Sequence, residues 1–354
     1  MRKFSYPIIT YTLSLFLLFS NLSCSKDDVN VEETPENHDY GTIDDLMSKS
    51  QGPTVSTKTA MGIHFENLKK TTADDIKWLS DPAREPSIPP NQTSNLVLSP
   101  FDVELYPFIN PSPADCNQRA LGDCSAIAIF AEIAYINPDY VKSLITDNHN
   151  GSYSVKMFDP DAQQIEVRVS NKFLSYRNTG KLAGVNGKNS QATWATILEK
   201  ALMKYNDIYK LVSNIEGIGS EYASPTLTGN GSSFAFYSRK LTPEELKRAV
   251  EVSLAEGKIV IGGFDKADVE VGPSKTVSGH AWSFSYAPKT EKNGYMPIFV
   301  MRNPWGHNNG TDLDGQMYIP ENDDITKMID LRIIDAGRAK PSKIPGIYHT
   351  PVED

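Results

Sequence analysis

The segment from Gln118 to Cys124 places a carboxamide six residues before a thiol, and the thiol opens an apolar run that is typical of a helix. The unpaired backbone N–H groups at the start of a helix favour an anion, so we expect this position to lower a thiol pKa. A carboxamide one loop earlier can direct an N–H group at the same reaction centre and stabilise an oxyanion. The segment therefore predicts a cysteine nucleophile, provided that a base and an orienting residue lie elsewhere in the chain.

A histidine and an asparagine in the second half of the chain are candidates for these two roles. His280 begins an alternating run, residues 280–286, that predicts a strand, and residues 296–302 predict another. Asn293-Gly294 between them is a strong signal for a hairpin turn. A hairpin centred there sets Asn303 opposite His280, with facing Cβ atoms about 4.5–5.5 Å apart. The Asn303 carboxamide oxygen then accepts the imidazole N–H and fixes its tautomer.

The elements that must position these residues follow from hydrophobic periodicity. An apolar run favours a buried helix, and Thr followed by Pro and two acids marks the start of another helix at Thr242. Residues 217–233 are rich in Gly, Ser and Thr and predict a loop or a subdomain junction. The predicted helices cover residues 125–135, 193–205 and a segment from 242 onward, and the predicted strands cover residues 153–158, 165–169 and 259–264.

Composition limits the classes of function. The 354 residues are 39% hydrophobic and 22% charged, enough for one large or two moderate domains. A net charge of −9 without a long basic run argues against nucleic acid or an anionic membrane surface as partner. Beyond residue 24 the chain has two cysteines, Cys116 and Cys124, which do not make a disulfide framework. We expect Cys116 to be a small buried residue; a redox partner is the alternative.

The N-terminus has the features of a targeting segment. A basic start precedes an apolar run from Phe4 to Phe19 that is too short for a comfortable membrane span. A small residue before Cys24 resembles the cleavage site of bacterial lipoproteins, and Asp27-Asp28 resembles the surface-export tether of Bacteroidetes lipoproteins. Residues 1–24 are therefore predicted to be a lipoprotein signal peptide, with Cys24 as lipid anchor at the outer membrane or cell surface. The alternative is a plain secretory signal.

Residues 25–95 differ in composition from the rest of the chain. Residues 25 to about 58 are acidic, polar and poor in aromatics, which predicts a flexible tether. Residues 59–95 contain scattered apolar anchors followed by several prolines. This second part is either a propeptide or an arm packed on the folded domain, and the composition favours neither.

Three motifs together resemble the catalytic core of the calpains, which are papain-like cysteine proteases. The motifs are Gln118–Cys124, Gly279-His280-Ala281 and Arg302-Asn303-Pro304-Trp305-Gly306, and residues 194–205 are similar to a helix of that core. The resemblance covers roughly residues 95–335. It implies a two-lobe α+β fold in which a helical lobe, residues 96–220, carries Cys124. An antiparallel β lobe, residues 221–350, carries His280 and Asn303.

Departures from the calpain pattern concern the cleft and calcium. Ser125 stands where calpains have Trp, so we expect one side of the cleft to be more open. Asp115 matches a calcium-binding aspartate of calpains, but Lys210 falls at the position of its glutamate partner, where a cation repels calcium. Residues 312–315 lack a glutamate at the spacing of a calcium loop and predict a solvated turn. No cofactor is expected, and calcium dependence is doubtful on these grounds.

The resemblance implies an endopeptidase. Cys124 attacks the peptide carbonyl, His280 moves the proton, Asn303 orients His280, and Gln118 binds the oxyanion together with the Cys124 backbone N–H. Trp305 is expected to shield the His–Asn pair; the alternative is packing between the lobes. His307 is a rival base, but it follows the strand in a Gly- and Asn-rich loop.

Two other functions use the same scaffold. A transferase would pass the thioacyl group to an amine or peptide instead of water, and a binding lipoprotein would use an inactive protease fold. The complete set of four residues argues against the binding protein, while acceptor assays alone separate the transferase from the peptidase. The expected partners are a protein or peptide substrate and, through Cys24, a membrane; nucleic acid is not expected, and the chain is expected to be a monomer.

Overall fold

The computed structural model describes residues 60–231, 233–237, 240–272, 274–285, 297–307, 315–320 and 323–341. The predicted signal peptide with Cys24, the tether, the Asn293-Gly294 turn and loop residues 312–314 lie outside the described residues. Among the residues described, no helix combines the length and the apolar character that crossing a membrane requires.

The first lobe combines helices with two small antiparallel sheets. Its elements are α1 (Ala73–Leu79), β1 (Leu96–Pro100), α2 (Cys124–Ile136), α3 (Pro138–Leu144), β2 (Ile145–Asp147), β3 (Ser152–Phe158), β4 (Gln164–Ser170), β5 (Lys172–Tyr176), α4 (Trp194–Tyr209) and α5 (Ser220–Thr228). β1 pairs with β5, and β2, β3 and β4 form one sheet in that order. The predicted β3–β4 hairpin is confirmed.

The helices of this lobe begin where their capping residues indicate. The Thr193 hydroxyl accepts from the Ala195 N–H at the start of α4, whose predicted extent is confirmed and continues to Tyr209. α2 is buried on nearly all sides, and its residues from 126 to 134 are at most 3% exposed. The continuous apolar pattern of α2 therefore predicts its environment correctly.

The predicted loop over residues 217–233 is wrong in its middle part. Residues Ser220–Thr228 form α5, which packs against α2 and β3. Ala223 and Leu227 are at most 1% exposed, and Gly229 ends the helix in the left-handed conformation. Small polar residues have weak helix propensity, but burial against two elements outweighs it here.

The second lobe is built on one six-stranded antiparallel sheet, within the part of the chain that the structure describes. The strand order is β12-β11-β10-β7-β13-β6. The elements are β6 (Ser233–Tyr237), α6 (Pro243–Ala255), β7 (Ile259–Phe264), β8 (Glu270–Val271), β9 (Ser274–Lys275), β10 (Trp282–Ser285), β11 (Pro297–Arg302), β12 (Gln316–Pro320), α7 (Asp323–Thr326) and β13 (Ile329–Ile334). α6 begins after Thr242, as predicted, and α2 of the first lobe packs against β7 and β10. The predicted α+β class is confirmed.

The β10–β11 pair is two residues away from its predicted register. Ser283 lies opposite Arg302, so the continued ladder sets Asn303 opposite Trp282 rather than His280. The predicted strand start at residue 280 is also wrong, because β10 begins two residues later. The predicted register assumed that the two strands extend equally far from the turn. A shift of two residues keeps every side chain on its predicted face, since the period of a strand is two.

The described part of the N-terminal arm, residues 60–95, packs on the first lobe. Met61, Phe65 and Leu79 are at most 2% exposed. Lys204 of α4 donates to the Asp81 carbonyl at 2.6 Å and lies over the Trp78 ring. These contacts pack residues 60–95 against the first lobe, an arrangement that a propeptide and a permanent arm would share.

Candidate active site

His280 and Asn303 are brought together by the ends of the two neighbouring strands. Imidazole Nε2 lies 2.7 Å from Asn303 Oδ1. His280 is 8% exposed and Asn303 is fully buried at 0%, so water has little access to this bond. His280 precedes β10 and reaches Asn303 from outside the ladder, which the register estimate did not foresee.

The contacts of Asn303 define the tautomer of the histidine. The Trp305 backbone N–H donates to the same Oδ1 at 3.0 Å, so this atom accepts and His280 Nε2 carries the hydrogen. Nδ1 is then the unprotonated nitrogen of the neutral ring. The arrangement leaves Nδ1 to accept a thiol proton.

Cys124 and His280 line the same cleft, which has a volume of about 750 Å³. Cys124 is the first residue of α2 and is partly exposed. The cleft is formed by both lobes: its other lining residues are Ser125, Gly219–Glu221, Ile261–Asp265, Ser278, Gly279, Ala281 and Asp330–Arg332. The start of α2 and the segment just before β10 therefore bring a thiol and an imidazole into one cleft.

Burial sets the protonation state of the free site. It raises the pKa of the Cys124 thiol above its ordinary 9.0; the Ala281 N–H acts in the opposite direction, and the charge of Asp123 adds to the rise. Burial also lowers the pKa of His280 below 6.5, partly offset by the bond to Asn303. The backbone N–H of Ser125 at the helix start lowers the thiol pKa, as expected, but desolvation outweighs it and the net direction is upward.

Gln118 lies in the loop before Cys124, but its carboxamide is directed into that loop. Nε2 donates to the Leu121 carbonyl at 2.7 Å and lies 3.5 Å from Asp123 Oδ1. The second contact is at the long limit of a hydrogen bond. Both N–H groups of Gln118 are thus directed at acceptors of this loop, one at a short distance and the other at a long one.

Two tryptophan rings enclose the imidazole. The Trp305 ring lies 4.6 Å from the His280 ring at an interplanar angle of 39°. Trp282 meets the imidazole edge-on, with centroids 5.9 Å apart. His307, the rival base, is exposed and lies beside Trp305 with ring centroids 6.0 Å apart.

Arg302 fastens the end of β11 to the loop that carries Gln118, a role that sequence reasoning missed. Its Nη1 donates to the Cys116 carbonyl at 3.1 Å and its Nη2 to Asn117 Oδ1 at 3.0 Å. The Gln118 N–H donates to the Pro304 carbonyl at 2.7 Å. The position of Arg302 directly before Asn303 was the available signal in the sequence. Cys116 is fully buried and free, as predicted for a small core residue.

The sequence of this chain also matches a known protein family. Residues 93–315 match the family described as calpain family cysteine protease, which is well over half of the chain. The chain belongs to the calpain family of cysteine proteases. The matched residues include Cys124, His280 and Asn303, and they take in most of both lobes.

Curated calpains are similar to this member of the family over its catalytic region. The chain is 27% identical over 203 residues to the calpain-2 catalytic subunit of Homo sapiens, which is 54% of this chain and 28% of that protein. It is 26% identical over 203 residues to the calpain-1 catalytic subunit of Bos taurus, with 54% and 27% covered. The chain thus spans little more than a quarter of the length of the curated relatives it matches.

The residues at the calcium position of calpains make structural contacts here. Asp115 Oδ2 accepts from Trp194 Nε1 at 2.6 Å and from the Ser112 N–H at 3.0 Å. Burial raises the pKa of Asp115 to about 6, and Lys210 is the exposed residue that ends α4. The other carboxylate oxygen of Asp115, Oδ1, is buried without a partner, but calcium takes six to eight oxygen ligands. Within the described ranges, no group of three or more His, Cys, Asp or Glu side chains is arranged to hold a metal.

Proposed function

We propose that this calpain-family protein hydrolyses peptide bonds as an endopeptidase, with Cys124 as nucleophile, His280 as acid and base, and Asn303 as orienting residue. The observation that carries the proposal is the buried 2.7 Å bond between His280 and Asn303, at a histidine that lines one cleft with Cys124. A histidine held by a carboxamide beside a thiol is the arrangement that nucleophilic cysteine chemistry requires.

The proton follows the tautomer of His280. Nδ1 accepts the thiol proton as Cys124 Sγ attacks the peptide carbonyl carbon. The resulting imidazolium gives that proton to the leaving amine, and a thioester remains on Cys124. Water, deprotonated by Nδ1, then attacks the thioester and releases the carboxylic acid and the thiol.

The oxyanion of the tetrahedral intermediate needs hydrogen-bond donors near Cys124. The Cys124 backbone N–H at the start of α2 is one, and the second N–H of Gln118 is the other. Losing one such donor typically costs about 10²–10³ in rate. Trp305 shields the imidazolium–asparagine bond from water and so keeps it strong.

Cleavage of an unfolded protein tests the proposal. The chain lacking residues 1–24 is expected to release new amino termini, and Cys124→Ala is expected to release none. Cys116→Ala is the matched control, since it removes a buried free thiol outside the cleft and should leave cleavage intact. Cleavage that persists in Cys124→Ala would contradict the proposed mechanism.

Calcium independence is part of the proposal. The contacts of Asp115 and the position of Lys210 support it. Cleavage by the wild type is expected to be the same with and without a calcium chelator. A loss of activity on chelation that calcium restores would overturn this part and leave the nucleophile assignment standing.

We further propose that the protein is a monomeric lipoprotein of the outer membrane or cell surface, anchored through Cys24. The motif around Cys24 and the acidic residues after it support this location. A lipid anchor contributes about 0.8 kcal/mol for each buried CH₂ group. The intact mass of the membrane-extracted protein should match a chain that begins at an acylated Cys24; a free, unacylated terminus refutes the anchor.

A further inference from the structure

A pair of buried carboxyl groups lies directly beside the nucleophile and has no part in the mechanism so far. Asp123 precedes Cys124 and is 1% exposed, and Glu199 of α4 is 4% exposed. The two carboxyls are hydrogen-bonded to each other. Two carboxylates in contact inside a protein do not both ionise, so the pair holds a shared proton and a single negative charge.

The surroundings fix which carboxyl donates. Glu199 Oε1 accepts from the Val185 N–H at 2.9 Å. A Cβ at Gly184 would collide with Glu199 Oε2, so the glycine leaves room for this carboxyl. Burial raises the pKa of Glu199 well above its ordinary range and that of Asp123 to about 7. Asp123 accepts hydrogen bonds from a backbone N–H and from Gln118, whereas Glu199 accepts one from Val185, so the negative charge is better stabilised on Asp123. Glu199 is therefore the carboxyl that donates to Asp123.

Asp123 in turn faces the group that is to bind the oxyanion. Its Oδ1 lies 3.5 Å from Gln118 Nε2, whose other N–H is held by the Leu121 carbonyl at 2.7 Å. Without a hydrogen bond from Glu199, the Asp123 carboxylate would accept this N–H strongly and would place its full negative charge next to the developing oxyanion. A carboxylate that already accepts a hydrogen bond from Glu199 competes less strongly.

We propose that Glu199 is a positioning residue which, by donating a hydrogen bond to Asp123, keeps the second N–H of Gln118 available to the oxyanion. This inference rests on the proposed peptidase function. Glu216 and Cys124 also face the pair: the charge of Glu216 acts on Asp123, and Asp123 acts on the Cys124 thiol.

Two substitutions at Glu199 separate hydrogen bonding from packing. In Glu199→Gln the amide oxygen can accept from Val185 and the amide N–H₂ can donate to Asp123, so kcat is expected to stay within about threefold of the wild type. Glu199→Met fills a similar volume without a donor, and its kcat is expected to fall about 10-fold or more with KM unchanged, since the oxyanion exists only in the transition state. Thermal melting and Cys124 alkylation at one pH show whether each variant is folded.

A double-mutant cycle with Gln118→Ala tests the route of the effect. If Glu199 acts through Gln118, Glu199→Met lowers kcat by less than about twofold in the Gln118→Ala background. At high pH the wild-type Glu199 loses its proton and can no longer donate to Asp123, whereas the Gln amide still donates. The kcat of Glu199→Gln relative to that of the wild type should therefore rise with pH. Independent, multiplying losses, or equal activity of the Gln and Met variants, overturn the proposal. Wild-type cleavage with inactive Cys124→Ala shows in the same assays that the peptidase function itself stands.

Discussion

The candidate reactive side chains of this protein can be chosen from the sequence by residue type, whereas their protonation states cannot. Gln118, Cys124, His280 and Asn303 can be chosen from sequence because each residue type has a definite task in thiol chemistry. The protonation state depends on burial, which no spacing of residues encodes. Burial raises the pKa of Cys124 and lowers that of His280, so desolvation favours the neutral form of both groups in the free protein.

Alkylation of Cys124 checks this protonation state. In the substrate-free protein, the rate of reaction with iodoacetamide is expected to rise with pH and to keep rising above pH 9, the ordinary thiol value, because the thiolate is the reactive form. Cys124→Ala gives the background rate from other groups. A rate that is already constant across neutral pH would mean a preformed thiolate–imidazolium pair and would contradict our assignment.

At the scale of elements, secondary structure with a clear period was predictable and pairing details were not. α2, α4 and the β3–β4 hairpin follow from apolar spacing and capping residues. The β10–β11 register missed by two residues, since a sequence does not state how a turn divides its residues between two strands. α5 was missed because its stability comes from packing on α2 and β3 rather than from its own residues.

The contact between the Gln118 loop and the end of β11 leads to a prediction at this scale. Gly306 has a φ of 71°, and a Cβ there would collide with Asn117 Oδ1. Asn117 also accepts from Arg302, so Gly306→Ala should disturb the fastening between the lobes and lower both stability and kcat.

The matched control is Gly180→Ala. Gly180 has a φ of 67°, but a Cβ there meets nothing within 4 Å. Both variants carry the backbone strain, so the difference in their free energies of unfolding in urea isolates the collision. We expect Gly306→Ala to be less stable than Gly180→Ala by about 1–3 kcal/mol. Equal stabilities and equal activities would show that this contact is unimportant.

At the scale of the whole molecule, two buried lysines of α4 connect the N-terminal arm to the first lobe. Lys204 is fully buried and donates to the carbonyls of Asp81 and Arg168 at 2.6 and 2.7 Å. Lys200 lies 2.6 Å from Glu85 of the arm. Composition alone did not predict this packing, because contacts made across more than a hundred residues are not visible in local sequence.

Lys204 gives this attachment a pH signature. Burial lowers its pKa from 10.5 to about 8. Between pH 8 and pH 10.5, Lys204 keeps its proton in the unfolded chain but has released it in the folded protein. The free energy of unfolding therefore increases with rising pH. From pH 8 to 10 the contribution of Lys204 should amount to about 2–3 kcal/mol.

Urea unfolding of Lys204→Met and wild type over this range isolates the contribution. The wild type should gain stability relative to Lys204→Met as pH rises. Lys181→Met is the control at an exposed lysine and should follow the wild type. A constant difference between wild type and Lys204→Met would show that the buried ammonium keeps an ordinary affinity for its proton.

Identification of the acylated residue tests the central claim most directly. The chain lacking residues 1–24 would be mixed with an activated peptidyl ester, quenched in acid within the first turnover and mapped by mass spectrometry. We predict that the acyl group is found on Cys124, that it disappears on further incubation in water, and that Cys124→Ala carries none. An acyl group on another residue, or turnover of the ester by Cys124→Ala at the wild-type rate, would contradict the assignment of Cys124 as the nucleophile.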